Sequence, residues 1–193
     1  LANGDVVVVT QKVVSKAEGR VVRLDDVETS QIAIQLSEGS HRDPRHTELI
    51  LRESKRIVRM VAGTIISETH HGFICANAGI DASNLDPDTE GELVLLLPVD
   101  PDASARHLKE RLDEHFAANL GVIISDSVGR AWRNGTVGIA LGAAGLPSLQ
   151  DFIGRADLGI RRGDSERHLR LGTRCEGSCF GIVEVYGGDI GVR

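Results

Sequence analysis

The chain has 193 residues, enough for one large domain or two small ones and for a real hydrophobic core. Its formal net charge of −6 excludes the broad cationic surface with which nucleic-acid proteins neutralise backbone phosphates, yet leaves room for local binding of a small anion. Hydrophobic residues at 41% and charged residues at 26% are ordinary for a soluble globular protein, and aromatic residues at only 3% require a core of Val, Ile, Leu and Ala.

Residues 6–9 are a continuous β-branched run, the pattern of a buried strand. Thr10, Gln11 and Lys12 follow. Residues 13–20 then read as a strand end or a short helical turn leading to Gly19, and Val21 and Val22 resume a strand. Residues 25–39 are acidic and polar and helical in part. After a polar junction at residues 40–47, Pro44 occupies its favoured first-turn position. The helix it starts is predicted to run to about Met60, with Leu49, Ile50, Ile57 and Val58 on its inner face. Residues 64–67 and 72–75 read as two strands with a short connection, and residues 93–97 as an apolar strand stopped by Pro98. Asp100 and Pro101 form an N-cap and first-turn pair, and Leu108, Leu112 and Phe116 give a helix over residues 101–119 one apolar stripe. Residues 121–124 are a short buried strand that ends in Ser125-Asp126-Ser127-Val128-Gly129-Arg130. Residues 135–147 are rich in Gly and Ala, suited to close packing of a helix or sheet, and Pro147 closes the run. Strands and helices mix without a clean βαβ rhythm, so the expected fold class is mixed α/β (α+β) rather than a doubly wound sheet.

No apolar run approaches the roughly 20 residues of a membrane span, and no signal peptide is visible. A cytoplasmic location without membrane contact is therefore expected. The chain begins Leu-Ala-Asn-Gly-Asp without an initiator Met, as expected of a segment that starts inside a longer protein. Cys75, Cys175 and Cys179 make no disulfide framework. The C-x3-C pair at Cys175 and Cys179 lacks the second ligand pair that a zinc site needs, so plain thiols are expected.

Four stretches carry candidate chemistry. Residues 77–84, Asn-Ala-Gly-Ile-Asp-Ala-Ser-Asn, place Asp81, Ser83 and Asn84 within four positions among small neighbours. Small neighbours admit close approach of a ligand, and a lone carboxylate among amides suits a hard cation. The segment reads as too polar for the core. Asp126 beside Ser127, at the end of a buried strand, suits Mg²⁺ held against a phosphate; the plainer reading is a cap for the next segment. Arg130 and Arg133 flank Trp132, and guanidinium groups match phosphate or carboxylate, although a solvated basic turn reads equally well. Lys12 and Lys16 flank Ser15 after the first strand, either as a phosphate-gripping pair or as exposed lysines. No G-x-x-x-x-G-K-[ST] occurs and residues 135–145 do not fit G-x-G-x-x-G, so neither a P-loop nor a Rossmann site is expected. Adjacent His70 and His71 would point to opposite faces of a strand and cannot easily share a metal. No nucleophile elbow supports serine hydrolase chemistry.

Taken together, residues 4–20, residues 77–84, Asp100-Pro101-Asp102-Ala103-Ser104-Ala105, and Ile124-Ser125-Asp126-Ser127 with Gly129-Arg130 resemble the coenzyme F420 γ-glutamyl ligases, the CofE-like proteins that also form the N-terminal half of FbiB-type proteins. Four motifs in the family's order make the resemblance specific. It covers residues 4–158, which gives a ligase core at 1–158 and an unmatched tail at 159–193. The resemblance implies a CofE-like fold forming an intertwined homodimer. It implies a GTP-dependent ligase that joins L-glutamate to F420-0 and extends it by γ-glutamyl linkage, through an acyl phosphate, releasing GDP and phosphate. By motif match, Asp81, Asp126 and Ser127 are metal ligands for Mg²⁺ or Mn²⁺, with K⁺ as a further cation. Gln11, Lys12, Lys16 and Asn84 are nucleotide-binding positions, and Arg130 faces a substrate phosphate. The family's Asp-Thr reads Asp126-Ser127 here, which keeps the hydroxyl. The resemblance also places a Gly-Leu-Pro-like segment ahead of Leu1 and a Gly-rich nucleotide loop where this chain has its unmatched tail. A homologue that keeps metal or nucleotide affinity without turnover is therefore the second reading, and a metal-dependent phosphohydrolase the third.

Overall fold

The structure is a computed structural model that describes residues 1–38, 42–61, 63–82, 92–129 and 134–147. The chain divides into two compact units: a central one, Val9–Ser104, and a terminal one formed by Leu1–Val8 and the residues from Ala105 onward.

The central unit is built from short elements because its sequence punctuates often. Helix α1 (Gln11–Ala17) ends where Gly19 takes a positive φ of 68°, and strand β2 (Val21–Arg23) follows. A 3₁₀ turn at Leu24–Asp26 leads to α2 (Gln31–Ser37), capped by Ser30, whose Oγ accepts from the Ala33 amide. Asp43 caps α3 (Pro44–Arg52) by accepting from the Arg45 amide, with Pro44 at the first helical position. Strand β3 (Ser54–Val61) pairs antiparallel with β4 (Thr64–Thr69), and β4 with β5 (Ile74–Ala76). Strand β6 (Leu93–Leu95) pairs antiparallel with β2, aligning Val22 with Val94.

Two buried clusters of described residues contribute to this unit's core. Leu24, Val27, Leu49 and Val94 make one, and Ile50, Ile65 and Ala78 the other. Consecutive residues of α3 thus feed different clusters, and Ile80 packs against both. Glu48, on the same helix, is buried and accepts from the Ser30 amide (2.9 Å) and Ser30 Oγ (2.6 Å), while Arg52 Nε donates to it at 2.8 Å. These bonds lock α2 to α3, and hydrogen bonds from Ser30, more than the Arg52 pairing, hold the Glu48 carboxyl below its usual value.

In the terminal unit, β7 (Gly121–Gly129) lies between β1 (Val6–Thr10) and β8 (Thr136–Ala144). The β7–β8 ladder is antiparallel and shifts register between Ile124 and Ser125, leaving Leu141 as an extra residue on β8. Helix α4 (Pro101–Phe116) has Asp100 as its N-cap, accepting from the Ala103 amide. Ala105, Leu120, Val122, Ile124, Ala140, Leu141 and Ala144 are buried. The Gly- and Ala-rich stretch is therefore a strand, its small side chains lying flat against the core.

Several expectations need correction. The helix from Pro44 stops at Arg52 instead of reaching Met60, and residues 54–61 form β3 because the β4 edge offers them a ladder of hydrogen bonds. Val58, expected inside, is 43% exposed. The Val6–Val9 run is a strand, but Val6 and Val8 are exposed rather than buried. The strand expected at 121–124 continues to Gly129, and the one at 93–97 ends at Leu95, with Leu96 and Leu97 buried beyond it. His70 and His71 occupy the turn after β4, where their Nε2 atoms donate to Arg52 O (2.9 Å) and Pro98 O (2.8 Å). The fold class itself stands as mixed α/β with separate small sheets.

Two stability predictions follow from this packing. Glu48→Gln is expected to lower stability by about 2 kcal/mol at pH 7, because bonds to a charged acceptor are lost. The folded pKa of Glu48 lies below the unfolded value of about 4.3, so its contribution is present above that pH and fades as pH falls through the folded value. Melting curves should show the gap between wild type and variant closing below about pH 4; a constant gap from pH 7 to 3 would show that charge plays no part. At Gly79, where φ is 72°, a methyl group would lie 2.9 Å from Leu97 Cδ1. Gly79→Ala should therefore cost about 2 kcal/mol or more in chemical denaturation, combining backbone strain with overpacking.

Candidate functional site

The turn at Asn77–Gly79 sets the site. Asn77 and Ala78 both have φ of 54° and Gly79 has 72°, three successive left-handed residues. Asn tolerates this region and Gly is free in it, but Ala pays about 1 kcal/mol. Ala78 offsets the cost by being buried in the Ile50–Ile65 cluster. This corrects the expectation that the stretch is too polar for the core: Ala78 is core, and the polar side chains of Asn77 and Asp81 emerge beside it. Asn77 Oδ1 accepts from the Ile65 amide at 3.3 Å, tying the turn to β4.

Beyond Ile80, Asp81 forms a two-bond antiparallel bridge with Leu95: its amide donates to Leu95 O (3.0 Å) and its carbonyl accepts from Leu95 N (2.7 Å). The main chain of Asp81 is thus held at both its amide and its carbonyl. Its carboxylate Oδ2 lies 2.5 Å from Lys12 Nζ, with both side chains about one-third exposed at 32% and 29%.

Lys12 sits in the first turn of α1, which is itself anchored from below. Gln11 and Ser15 are buried, and Gln11 Nε2 donates to Ser15 Oγ (2.8 Å) and to Leu96 O (3.4 Å). Arg20 reinforces the same junction, donating to Leu97 O (2.8 Å) and pairing with Glu53 (2.8 Å). Lys16 follows Lys12 by four residues, so both ammonium groups rise from one face of α1. Gln11 is placed beneath that face as a helix anchor.

Asp126 and Ser127 lie within β7, opposite Ile139 and Gly138 of β8. Strand alternation sets Asp126 on the face shared by buried Val122 and Ile124, where the apolar stripe runs out, and Ser127 on the other face. The Ser127 amide donates to Asp126 Oδ1 at 2.8 Å. Ser83, Asn84, Arg130, Trp132, Arg133, Cys175, Cys179 and the tail at 159–193 fall outside the described residues. Among the described residues no three His, Cys, Asp or Glu side chains gather as a metal-ligating group. The donors at Asp81 and at Asp126-Ser127 are nevertheless all oxygen, the chemistry that suits Mg²⁺ or Mn²⁺.

Sequence reasoning missed a pocket of about 480 Å³ beside Asp81, lined by Arg42, Asp43, His46, Ile50, Gly63, Asn77, Ile80, Asp81 and Ala82. Arg42 donates from Nε and Nη2 to Gly63 O and from Nη2 to Asn77 Oδ1 (3.0 Å), and burial pulls its guanidinium below the ordinary value. Asp43 is committed to Arg45, whose hydrogen bonds hold its carboxyl below its usual value, and His46 Nε2 meets Glu92 Oε1 at 3.2 Å. The available signal was the density of Arg and His in the polar junction at residues 40–47. No helix among the described residues is long and apolar enough to cross a membrane.

A family model described as F420-0:Gamma-glutamyl ligase matches residues 1–169. The chain is 48% identical over 158 residues to the coenzyme F420:L-glutamate ligase of Methanopyrus kandleri. It is 45% identical to the protein of that name from Methanothermobacter thermautotrophicus and 41% identical to that of Methanocaldococcus jannaschii. Each alignment covers 82% of this chain and 61% of the relative, so the chain spans about three-fifths of the length of the curated relatives it matches. With the four motifs in order and this match over most of its length, the chain belongs to the F420-0:γ-glutamyl ligase family.

Proposed function

We propose that the chain serves the GTP-dependent ligation of L-glutamate to coenzyme F420-0 and its extension by γ-glutamyl linkage. The observation that carries this reading is the Lys12–Asp81 pair, which brings the basic segment after β1 against the carboxylate of the 77–84 motif in a chain of this family. A fixed carboxylate beside a cationic helix face is what phosphoryl transfer to a carboxylate acceptor requires: oxygen donors for a cation and ammonium groups for the phosphates.

In the proposed route an F420-0 carboxylate oxygen attacks the γ-phosphorus of GTP, and the bond from that phosphorus to the GDP oxygen breaks. The deprotonated amine of glutamate then attacks the acyl carbon of the resulting acyl phosphate. The carbon–oxygen bond to phosphate breaks, the amide forms, and the amine proton passes to solvent. Lys12 and Lys16 bind phosphate oxygens and offset charge as it moves toward GDP. Asp81, Asp126 and Ser127 supply oxygen donors for Mg²⁺ or Mn²⁺, with K⁺ as a further cation. Bound divalent cations neutralise charge between the phosphates and the acceptor carboxylate. Gln11 holds α1 in place beneath the lysines, and Asn84 and Arg130 contact the nucleotide and a substrate phosphate. A homodimer in the cytoplasm is the proposed working state.

Incubation of the chain with F420-0, GTP, L-glutamate and Mn²⁺ or Mg²⁺ should add the mass of one glutamate residue to F420-0, with GDP released in step. Asp126→Ala should reduce GDP release to background, and Lys12→Met should slow it at least about tenfold through loss of charge stabilisation. Phosphate release from GTP without glutamate would instead indicate a phosphohydrolase, and GTP binding without product a binding protein. Turnover of Asp126→Ala at the wild-type rate would remove Asp126 from the metal assignment.

A further inference from the structure

We propose that the pocket beside Asp81 seats the incoming amino acid and that Arg42 binds a carboxylate of L-glutamate there. This rests on the ligase reading. Its first support is the electrostatic state of Arg42. The guanidinium is half-buried, and among the described residues its partners are the Gly63 carbonyl and the Asn77 amide oxygen, both neutral. Arg20, Arg45, Arg52 and Arg56, by contrast, each pair with a carboxylate. A cation withdrawn from water without a counter-charge is costly unless an anion completes it.

The second support is how Arg42 is held. A guanidinium has five N–H donors. Those on Nε and Nη2 are taken by Gly63 and Asn77, so the donors left are the two on Nη1. One of these N–H groups can donate to a carboxylate oxygen in a fixed direction within the guanidinium plane. Asn77, which orients the fork, is itself held in a left-handed conformation and bonded to the Ile65 amide. Backbone strain maintained around a half-buried cation is the pattern of a pre-organised binding group.

The lining then selects the ligand. Asp81 brings a carboxylate into the wall, which suits a ligand that also carries an ammonium group. Ile50, Ile80 and Ala82 provide an apolar side for methylene groups. About 480 Å³ falls in the range of small-ligand pockets. An amino acid with an acidic side chain matches all three features: carboxylate to Arg42, methylenes along the isoleucines, and amine toward Asp81.

The test is calorimetric titration of the full chain with L-glutamate, L-glutamine, inorganic phosphate and GTP. L-Glutamate should bind the wild type at least about tenfold more tightly than L-glutamine. Arg42→Gln should weaken glutamate about tenfold or more, a loss of about 1.4 kcal/mol, and leave GTP affinity unchanged. Because Arg42 also braces Gly63 and Asn77, the wild-type protein gives a second readout. Dicarbonyl labelling of Arg42, followed by mass spectrometry, should be slowed by L-glutamate and not by L-glutamine. Unchanged glutamate affinity in a folded Arg42→Gln variant, or labelling indifferent to glutamate, overturns the assignment while the ligase reading stands. Parallel loss of phosphate or GTP binding in the variant overturns it in favour of a phosphate site. Absence of glutamate binding by the wild type overturns both.

Discussion

The chemistry of the central unit hangs on Ile80. This one side chain packs against both hydrophobic clusters, the one around Leu24 and Val94 and the one around Ile50 and Ile65. Residues on either side of it are therefore placed by two cores at once. On the N-terminal side, the left-handed turn at Asn77–Gly79 is pinned through buried Ala78. On the C-terminal side, Asp81 is pinned through its two-bond bridge to Leu95. A carboxylate held that way loses little further entropy when it meets a cation, which is the condition for a useful ligand or catalytic group.

The same arrangement explains why an acidic chain can handle anionic substrates. A net charge of −6 describes the far field, and salt screens it within roughly 8 Å at physiological ionic strength. Inside that distance the local composition decides. Lys12 and Lys16 rise from one face of a helix anchored by buried Gln11 and Ser15, and Arg42 is buttressed by neutral oxygens. Several carboxylates of this unit are engaged by other groups: Glu53 by Arg20, Glu48 by Ser30 and Arg52, and Asp43 by Arg45. Asp81 pairs with Lys12, and it sits where a cation and phosphates are proposed to compete for it and for Lys12.

How much of this was legible in the sequence depends on how local the deciding force was. Caps were readable because they are local: Asp100 and Pro101 start α4 as expected, and Pro44 starts α3. The end of α3 was not, because no Gly or Pro marks it and the stop is imposed by β4, which recruits residues 54–61 into a ladder. The exposure of Val6 and Val8 was likewise hidden, since a β-branched run reads the same whether one or both faces are covered. Of the site, the motif residues Lys12 and Asp81 were named from sequence and the structure joins them. The Arg42 pocket was not named, because it needs Arg42, Gly63 and Asn77 brought together from three separate segments, and no spacing rule links them.

The run of small residues at 76–82 then has a physical reason beyond close approach of a ligand. A chain that passes through three left-handed residues and buries Ala78 has little volume for large side chains at positions 78 and 79, and Ile80 is the large side chain of the segment, packed against both clusters. Gly79 shows the limit, since even a methyl group there meets Leu97. Asn77 and Asp81 differ again, because their side chains leave the core. Asn77 turns to Arg42 and Ile65, and Asp81 to Lys12. Polarity in the segment is thus confined to positions with a partner to orient, and the apolar remainder keeps those two side chains where the proposed chemistry needs them.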